Sequence, residues 1–580
     1  GLLNLVSAGG TLRASRSIIC HAAANGDSGT ASGEDVAARL NELEVAGLIT
    51  FRDFADEYRV WQGSDFDLRS AVDLARRRLR DFPAADILNQ VLPLGPIVAA
   101  RHSHQSGTLR FFERSWLSAD AKSIDPLGNN DLPDGLALYV LGPEAPKAAL
   151  TRRGDMKPTV FATTENPEPV IDAAREVAAI DEILNSTAEL GDDWVARREL
   201  LERRVEAAAA LDREFHVAYS NSETLWSTAK PPTKGMLRWQ RKQAISASSV
   251  ISNSCDQWYC LAPTIRNDLI SRHDLSAQAA KARRLVVEGM ISRASEERLG
   301  ITGFGPENTL YLSVLAENQL HRQNDESSWE FGAPASTSSL LPTWEKINEL
   351  IQSANSDRLR VSDIYEILAA PPYGVRAGVV PVIFCAALIA AAEEVALYEH
   401  GTLRPVLADD IIERLLKNPG NFEVKHYASR TGIRAEFLTE LANVLGVRAS
   451  RSARQGRVGS VLAVVSHLVA LTNLLPEHTK KTHQLSADTV SVRRLLLLAT
   501  EPDELLFSEI PETFGKDPVS ASASYDSADL IEIANRLGAV CSELRGAYPA
   551  LLDEINEALQ RHVGPSCNPL REGLAARARE

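Results

Sequence analysis

The spacing of apolar and polar residues near the start of the chain predicts a helix followed by a β-hairpin. Apolar residues recur at helical spacing before strand-forming residues take over, at Val36, Leu40, Leu43 and the Leu48/Ile49 pair. Gly47 is the expected end of the helix. An acidic turn over residues 53–57 then separates predicted strands over residues 48–52 and 58–61. This order of elements is typical of a winged helix, which we assign to residues 1–63.

Residues 64–165 predict a basic helix and then a small unit that contains strands. The helix covers residues 68–82, with Ser64 or Asp65 as its expected N-cap. Four arginines lie near its C-terminal end, where positive charge suits the helix dipole: Arg76, Arg77, Arg78 and Arg80. Three extended runs follow between Asp/Gly/Pro-rich breakers: IVAARHSHQSGTLRFFERSW, LALYVLG and TVFATT. We therefore predict a small α/β or β-rich unit.

Beyond Pro167 the pattern is helical almost throughout. A long charged pair comes first, and the second helix of the pair has one predicted apolar face made of Leu200, Val205, Ala208, Leu211 and Phe215. Further helices are predicted over residues 277–293, 309–322, 343–354, 361–368, 379–398, 409–416, 434–445, 458–475, 491–500, 527–537 and 550–562. The linker over residues 324–342 is the clearest boundary. The predicted helical regions are residues 166–330, 331–490 and 491–580.

The predicted fold class is therefore mainly α, with an N-terminal winged helix, a small α/β or β-rich unit and an extended multi-helical body. The chain has 580 residues, enough for roughly three to five folding units. Its composition, 44% hydrophobic and 24% charged, is that of a globular protein rather than a disordered one. A net charge of −15 argues against a surface devoted to broad capture of nucleic acid.

Cysteine spacing and apolar run lengths indicate a cytoplasmic protein without a membrane span. The six cysteines show neither paired zinc-type spacing nor the density of a secreted disulfide scaffold, so reduced thiols are expected. The apolar runs over residues 379–392 and 458–475 are interpreted as buried helices, because one is too short and the other contains polar residues. The start at Gly1 lacks signal-peptide features, and we expect a segment of a longer protein.

The chain lacks the common catalytic motifs, and whether it is an enzyme stays open. GxxxxGK[ST], GxGxxG, GxSxG and HExxH are all missing from the sequence, so no cofactor site is assigned. His102 and His104 alternate on a predicted strand and could share a metal, although polar strand residues are the simpler interpretation. Asp410, Glu423 and Lys425 resemble the acid-plus-ExK pattern of metal-dependent nucleases, but the neighbouring Asp409 also suits an N-cap.

If the chain contacts nucleic acid, arginine clusters are better candidates than the winged helix, although solvated surfaces are the default interpretation of such clusters. The exposed positions of the winged-helix element are mainly acidic, with Arg39 as its one cation, so packing is favoured over base reading. Two clusters could bind phosphates without reading bases, one at Arg76, Arg77, Arg78 and Arg80 and one at Arg448, Arg451, Arg454 and Arg457.

Several sequence segments resemble a known kind of protein. They are GLITFRDFADEYRVWQGSDFDL, APTIRNDLISRHDLSAQAAKARRLVVEGM, LGITGFGPENTLYLSVL, PPYGVRAGVVPVIFCAALI, EVALYEHGTLRP and ATEPDELLFSEIPETFG. Together they resemble the region downstream of the nucleotide-binding domain in large bacterial P-loop, AAA-like ATPases associated with restriction and phage-defence loci. The resemblance implies an upstream ATPase module that holds ATP and Mg²⁺, since this sequence has no Walker motif.

Three hypotheses for function follow. The first is a non-catalytic scaffold and coupling segment of such an ATPase, whose partners are the upstream ATPase module, other defence-system proteins and DNA backbone. The second is an independent winged-helix DNA-binding regulator. The third is a metal-dependent nuclease built on Asp410, Glu423 and Lys425.

Overall fold

The computed structural model describes residues 13–24, 33–52, 56–60, 66–121, 133–146, 157–187, 190, 193–220, 225–228, 237–239, 246–272, 274–324, 327–404, 407–427, 432–447, 460–498, 501–520, 525–563 and 578–579. The chain divides into two compact units. Unit 1 comprises residues 1–105 and 109–260, and unit 2 comprises residues 106–108 and 261–580. Helices predominate, which confirms the mainly α fold class.

Unit 1 contains helices and strands in alternation. They are α1 (Arg16–Ala24), α2 (Gly33–Val45), β1 (Ile49–Arg52), β2 (Glu57–Val60), α3 (Leu68–Leu79), α4 (Ala84–Val91), β3 (Ile97–Val98), α5 (Ala100–Ser106), β4 (Phe111–Ser118), β5 (Gly135–Leu141), β6 (Thr159–Thr163), α6 (Glu168–Ser186), α7 (Trp194–Ser220), β7 (Leu225–Thr228), β8 (Leu237–Trp239) and α8 (Ala247–Trp258).

The predicted helix and hairpin at the N-terminus are confirmed. Helix α2 packs against α1, and β1 pairs with β2 in antiparallel register, with Ile49 opposite Val60 and Arg52 opposite Glu57. Gly47 adopts a positive φ of 69° just after α2, as a glycine at a helix end often does. The N-cap of α3 is Asp67, whose carboxylate accepts a hydrogen bond from the backbone of Ser70. The predicted caps, Ser64 and Asp65, lie outside the described residues.

A six-stranded sheet forms the core of the predicted α/β unit. Its strand order is β3-β4-β5-β6-β7-β8, and β4, β5 and β6 run parallel. Every residue of β5 and β6 is buried, as expected for parallel strands covered on both faces. The sheet continues to residue 239, so the predicted boundary at 165 was wrong. Distant strands β7 and β8 complete the sheet, and local periodicity cannot reveal such pairing.

The long charged helices are present as α6 and α7. Leu200 and Leu211 of α7 are buried, but Val205 is 68% exposed, so its assignment to the apolar face was wrong. The side chains of Phe215 and Tyr219 pack instead on Trp116 and Tyr139 of the sheet, with ring centroids 5.2–5.8 Å apart. These contacts join the C-terminal part of α7 to β4 and β5.

Unit 2 is a helical body with small antiparallel sheets. Its elements are α9 (Ala277–Ser292), α10 (Pro306–Leu310), β9 (His321–Gln323), β10 (Trp329–Phe331), α11 (Leu341–Ser353), β11 (Leu359–Arg360), α12 (Val361–Ala369), α13 (Val380–Ala390), β12 (Val395–Glu399), β13 (Thr402–Arg404), α14 (Asp409–Lys417), β14 (Phe422–His426), α15 (Ile433–Leu445), α16 (Val461–Leu474), α17 (Glu477–Lys481), α18 (Ala487–Leu498), α19 (Pro502–Glu504), α20 (Ile510–Thr513) and α21 (Ser527–Val563). Two π-helical segments, Tyr311–Ala316 and Leu505–Glu509, follow α10 and α19.

The first core of unit 2 runs through the predicted linker. Leu320, Phe331, Leu340 and Trp344 all belong to one buried cluster, which extends from Ile265 to Val424 along the chain. Much of the predicted linker therefore forms the hairpin β9–β10 and its connection to α11. The predicted boundary at residues 330/331 falls inside this core.

The apolar run after Val379 forms a helix and then a strand. Helix α13 is buried on almost every side, as predicted, but it ends at Ala390 rather than continuing to Tyr398. Val395–Glu399 forms the fully buried strand β12, because a short apolar run suits a central strand as well as a buried helix. Among the described residues, no helix is both long and apolar enough to cross a membrane.

The second core of unit 2 surrounds the long C-terminal helix α21. This helix packs on α15 and α18, and it continues through Pro549, where two separate helices were predicted. A proline inside a helix removes one backbone hydrogen bond, which water can replace where the helix is exposed. The guanidinium of Arg493 donates to the carbonyls of Thr479 and Thr482, each at 2.7 Å, and so caps the end of α17.

Candidate functional site

The hairpin of the N-terminal domain is held by an ion-pair cluster that we call the Arg52 cluster. The guanidinium of Arg52 lies 2.9 Å from a Glu199 carboxylate oxygen and 2.8 Å from one of Glu202, both on α7. Glu57 and Arg59, on β2, complete the cluster, with their charged atoms 2.6 Å apart. Burial alone would lower the pKa of Arg52, but the carboxylates of Glu199 and Glu202 raise it overall. The hairpin is thereby fixed to α7 within unit 1.

The outward surface of α2 is acidic, as the sequence indicated. Glu34, Asp35 and Glu44 are exposed, and the guanidinium of Arg39 lies 2.5 Å from the carboxylate of Glu42. Leu40 is buried, which fits its predicted core position. A recognition helix needs donors for phosphates and base edges, and this surface offers few of them.

Two of the four arginines of the basic cluster on α3 form ion pairs with α6, which we call anchored, and two do not. Arg76 and Arg78 reach carboxylates on α6, with nitrogen–oxygen distances of 3.4 Å to Glu176 and 2.8 Å to Glu182. Arg77 and Arg80 are exposed and form no ion pair with any residue that the structure describes. The second predicted cluster, at Arg448, Arg451, Arg454 and Arg457, lies outside the described residues.

The histidine pair predicted as a weak metal site lies on a helix, not on a strand. His102 and His104 belong to α5, where residues two apart point to nearly opposite sides. His102 is buried, with Nδ1 at 2.8 Å from the Asp256 carboxylate and Nε2 accepting from Nε of Arg110 at 3.2 Å. Both ring nitrogens are therefore occupied, whereas His104 is exposed. The strand assignment was wrong, and the helix does not bring the two rings to one face.

Two residues of the nuclease hypothesis, Glu423 and Lys425, share one ion-pair network through Arg358 and Glu501, whereas Asp410 pairs elsewhere. Asp410 is exposed and pairs with Arg414 at 2.9 Å, four residues along α14. Lys425 donates to the carboxylate of Glu501 at 2.9 Å, while Glu423 lies 3.8 Å from the guanidinium of Arg358. Within the described ranges, no group of three or more His, Cys, Asp or Glu residues could hold a metal ion.

The feature of unit 2 that stands out is a strained turn leading into a glycine loop, here called the Phe304 loop (residues 297–305). Arg298 and Leu299 have φ values of 51° and 57°, and Gly300 follows at 62°, so three consecutive residues are left-handed. Left-handed backbone costs a non-glycine residue about 1–2 kcal/mol. The burial of Leu299 offsets this cost, because its side chain lies in the first core and over Gly289 of α9.

The turn presents Phe304 to solvent. This side chain is fully exposed, between Gly303 with φ at 89° and Gly305. Pro306 then begins α10, three residues before the predicted start at residue 309. A large aromatic side chain loses the benefit of burial here, and aromatic residues are enriched in the buried centres of protein interfaces.

A single imidazole fixes both ends of the Phe304 loop. His321 lies on β9 and is 2% exposed. Its Nε2 donates to the carbonyl of Ala294 at 2.9 Å, before the loop, and its Nδ1 accepts from the hydroxyl of Tyr311 at 2.9 Å, after it. The ring also stacks on Trp329, with centroids 5.1 Å apart. Burial lowers the pKa of His321 and so favours the neutral ring.

Sequence reasoning missed both Arg52 and Phe304 as functional positions. Arg52 ends a predicted strand and faces carboxylates about 150 residues further on, so only the tertiary structure reveals its partners. For Phe304 the sequence carries a local signal, an aromatic residue between two glycines.

Comparisons with known proteins assign no relationship to this chain. No family model, no curated protein and no solved structure matches it. The geometry of the described residues is therefore the basis for a functional proposal, together with the resemblance of the phrases quoted above.

Proposed function

We propose that this chain is a non-catalytic scaffold and coupling segment of a larger cytoplasmic P-loop ATPase of the defence type. Its partners would be an upstream ATPase module, which would hold ATP and Mg²⁺, and other proteins of the same system. The observation that carries the proposal is the fully exposed Phe304 on a loop fixed at both ends.

Phe304 suits contact with protein better than catalysis. Aromatic side chains supply much of the apolar area in protein interfaces, and a fixed loop loses little conformational entropy on binding. The charged neighbours of the loop, Arg293 and Glu296, pack around Gly300. Backbone strain that persists in a fold is often found at ligand clamps and switch regions.

The regulator hypothesis receives less support from the structure. The acidic surface of α2 opposes phosphate contact, and Arg52 is already engaged with α7. DNA backbone contact remains part of the proposal at Arg77 and Arg80, which could bind phosphates without reading bases.

The proposal is tested by ATP turnover of the longer protein that carries this chain. Phe304→Ser should change turnover or its response to partners several-fold, because the aromatic contact is lost. Leu474→Ser is the matched control, since Leu474 is 85% exposed but lies at the end of α16. The control variant should behave as the wild type.

The chain alone should neither bind nor hydrolyse ATP, because it lacks a phosphate-binding loop with its lysine. Magnesium-dependent turnover by the purified chain would overturn the proposal. So would a gene in which no Walker motif precedes this segment. Identical behaviour of the Phe304 and Leu474 variants would remove the Phe304 loop from the coupling contact.

A further inference from the structure

Helix α21 has one apolar face that is buried along its first half and open along its second. It has 37 residues, a length of about 55 Å. Leu530, Ile533, Leu537 and Leu544 lie on this face and are at most 1% exposed in the second core. The helix then extends beyond that core, and the same face continues without such cover.

The open part of the face, here called the α21 stripe, consists of Tyr548, Leu552, Ile555 and Leu559. Their exposures are 37%, 47%, 46% and 38%. The spacing is four, three and four residues, which is the repeat of helices that pair along a common seam. Leu544 precedes Tyr548 by four residues, so the stripe continues the row that is buried in the core.

The residues beside the stripe carry no charge. Leu551 and Ala558 flank one side, and Pro549 and Asn556 flank the other. Charged residues occur only at positions that point away from a paired helix: Asp553, Glu554, Glu557 and Arg561. An identical helix can therefore approach without placing like charges opposite each other, whereas a partner chosen by charge would require charged flanks.

We propose that the α21 stripe pairs with the same stripe of a second copy of this chain. The proposal is independent of the function proposed above. The stripe spans only about two heptads, so its contact area falls below that of standard stable interfaces, and the dimer should be weak and reversible. A symmetric contact of one patch with itself is the commonest form of dimer.

Sedimentation equilibrium of the full 580-residue chain over a wide range of concentration tests the proposal. The wild type should shift from monomer mass to dimer mass as concentration rises. The double variant Leu552→Glu and Ile555→Glu should stay monomeric, because it places carboxylates in the seam. Glu557→Lys, on the outward side, should dimerise as the wild type does. All three proteins should show the same circular dichroism.

Cysteine cross-linking identifies the contacting residues, because each variant changes only one residue of α21. Ile555→Cys should form an interchain disulfide under mild oxidation, mapped by mass spectrometry, whereas Glu557→Cys should form far less. A wild-type chain that is monomeric at every concentration would overturn the proposal, whatever else covers the stripe. A dimer that survives in the double variant, or equal cross-linking of both cysteine variants, would overturn it too.

Discussion

The Arg52 cluster and the Phe304 loop fix two exposed segments by different physical means. The hairpin of unit 1 is held by charge, with one buried guanidinium among three carboxylates. The loop of unit 2 is held by an apolar side chain in a strained backbone and by a neutral imidazole. Ion pairs hold the hairpin, whereas burial and uncharged hydrogen bonds hold a segment that displays an aromatic ring.

This difference predicts different sensitivities. Buried ion pairs are costly to break because removal of one partner leaves the others unpaired. A left-handed residue is costly to truncate because the strain stays while the burial is lost.

Leu299→Ala should reduce the free energy of unfolding of unit 2 by about 3–4 kcal/mol, the usual cost of truncating a buried leucine. Leu299→Gly removes one more carbon, yet it should cost about 1 kcal/mol less, because glycine adopts the left-handed backbone without strain. Urea unfolding of both variants measures the difference. If glycine proves the more damaging substitution, the turn is not strained.

Arg52→Ala should destabilise the N-terminal domain by about 3 kcal/mol, since Glu57, Glu199 and Glu202 would lose their shared cation. The figure is at the lower end of the range because Glu202 is partly exposed. Limited proteolysis at the hairpin and urea unfolding provide the readouts. Arg39→Ala is the control, because its pair with Glu42 is exposed. Equal effects of the two variants would contradict a special role for Arg52.

Acid should weaken unit 2 through His321. Burial lowers its pKa in the folded state, so below about pH 6.5 the unfolded chain binds the proton more readily. This stability is present above about pH 6.5 and falls as the pH drops below that value. Stability curves of wild type and His321→Gln at several pH values isolate the contribution. A loss of the same size in both proteins would assign the acid sensitivity to other groups, such as His467, whose pKa burial also lowers.

Arg77→Ala combined with Arg80→Ala should change stability by less than about 0.5 kcal/mol, since both side chains are exposed. Any binding to duplex DNA should show a salt slope smaller by up to about 1.8, the equivalent of two phosphate contacts. Arg76→Ala combined with Arg78→Ala is the comparison, because it removes ion pairs with α6 instead. An unchanged salt slope in the first variant would exclude Arg77 and Arg80 as phosphate contacts.

Sequence patterns predicted the elements that local periodicity controls. The helix and hairpin at the N-terminus, the long helices α6 and α7 and the buried helix α13 all follow the spacing of their apolar residues. The failures occur where distant parts of the chain decide. His102 and His104 occupy a short helix because Asp256 and Arg110 bind the imidazole of His102. Strands β7 and β8 lie far from β6 along the sequence, yet β7 pairs with β6 and β8 pairs with β7.

The candidate sites were harder to predict than the fold. The arginines of α3 were identified from sequence, but the split between anchored and unanchored side chains depends on α6. The left-handed backbone at Leu299 has no local signal, since leucine rarely adopts it and only tertiary packing stabilises it there.

Thr302 and Phe304 are exposed positions of a loop whose two ends are attached to His321. Substitutions at these two positions leave Ala294, Tyr311 and the imidazole between them in place, whereas Ile301 packs against the first core and Gly303 has a positive φ. Natural variation at Thr302 and Phe304 could therefore alter the choice of partner at little cost to folding. The same exposure makes Thr302 a suitable place for a fluorescent label.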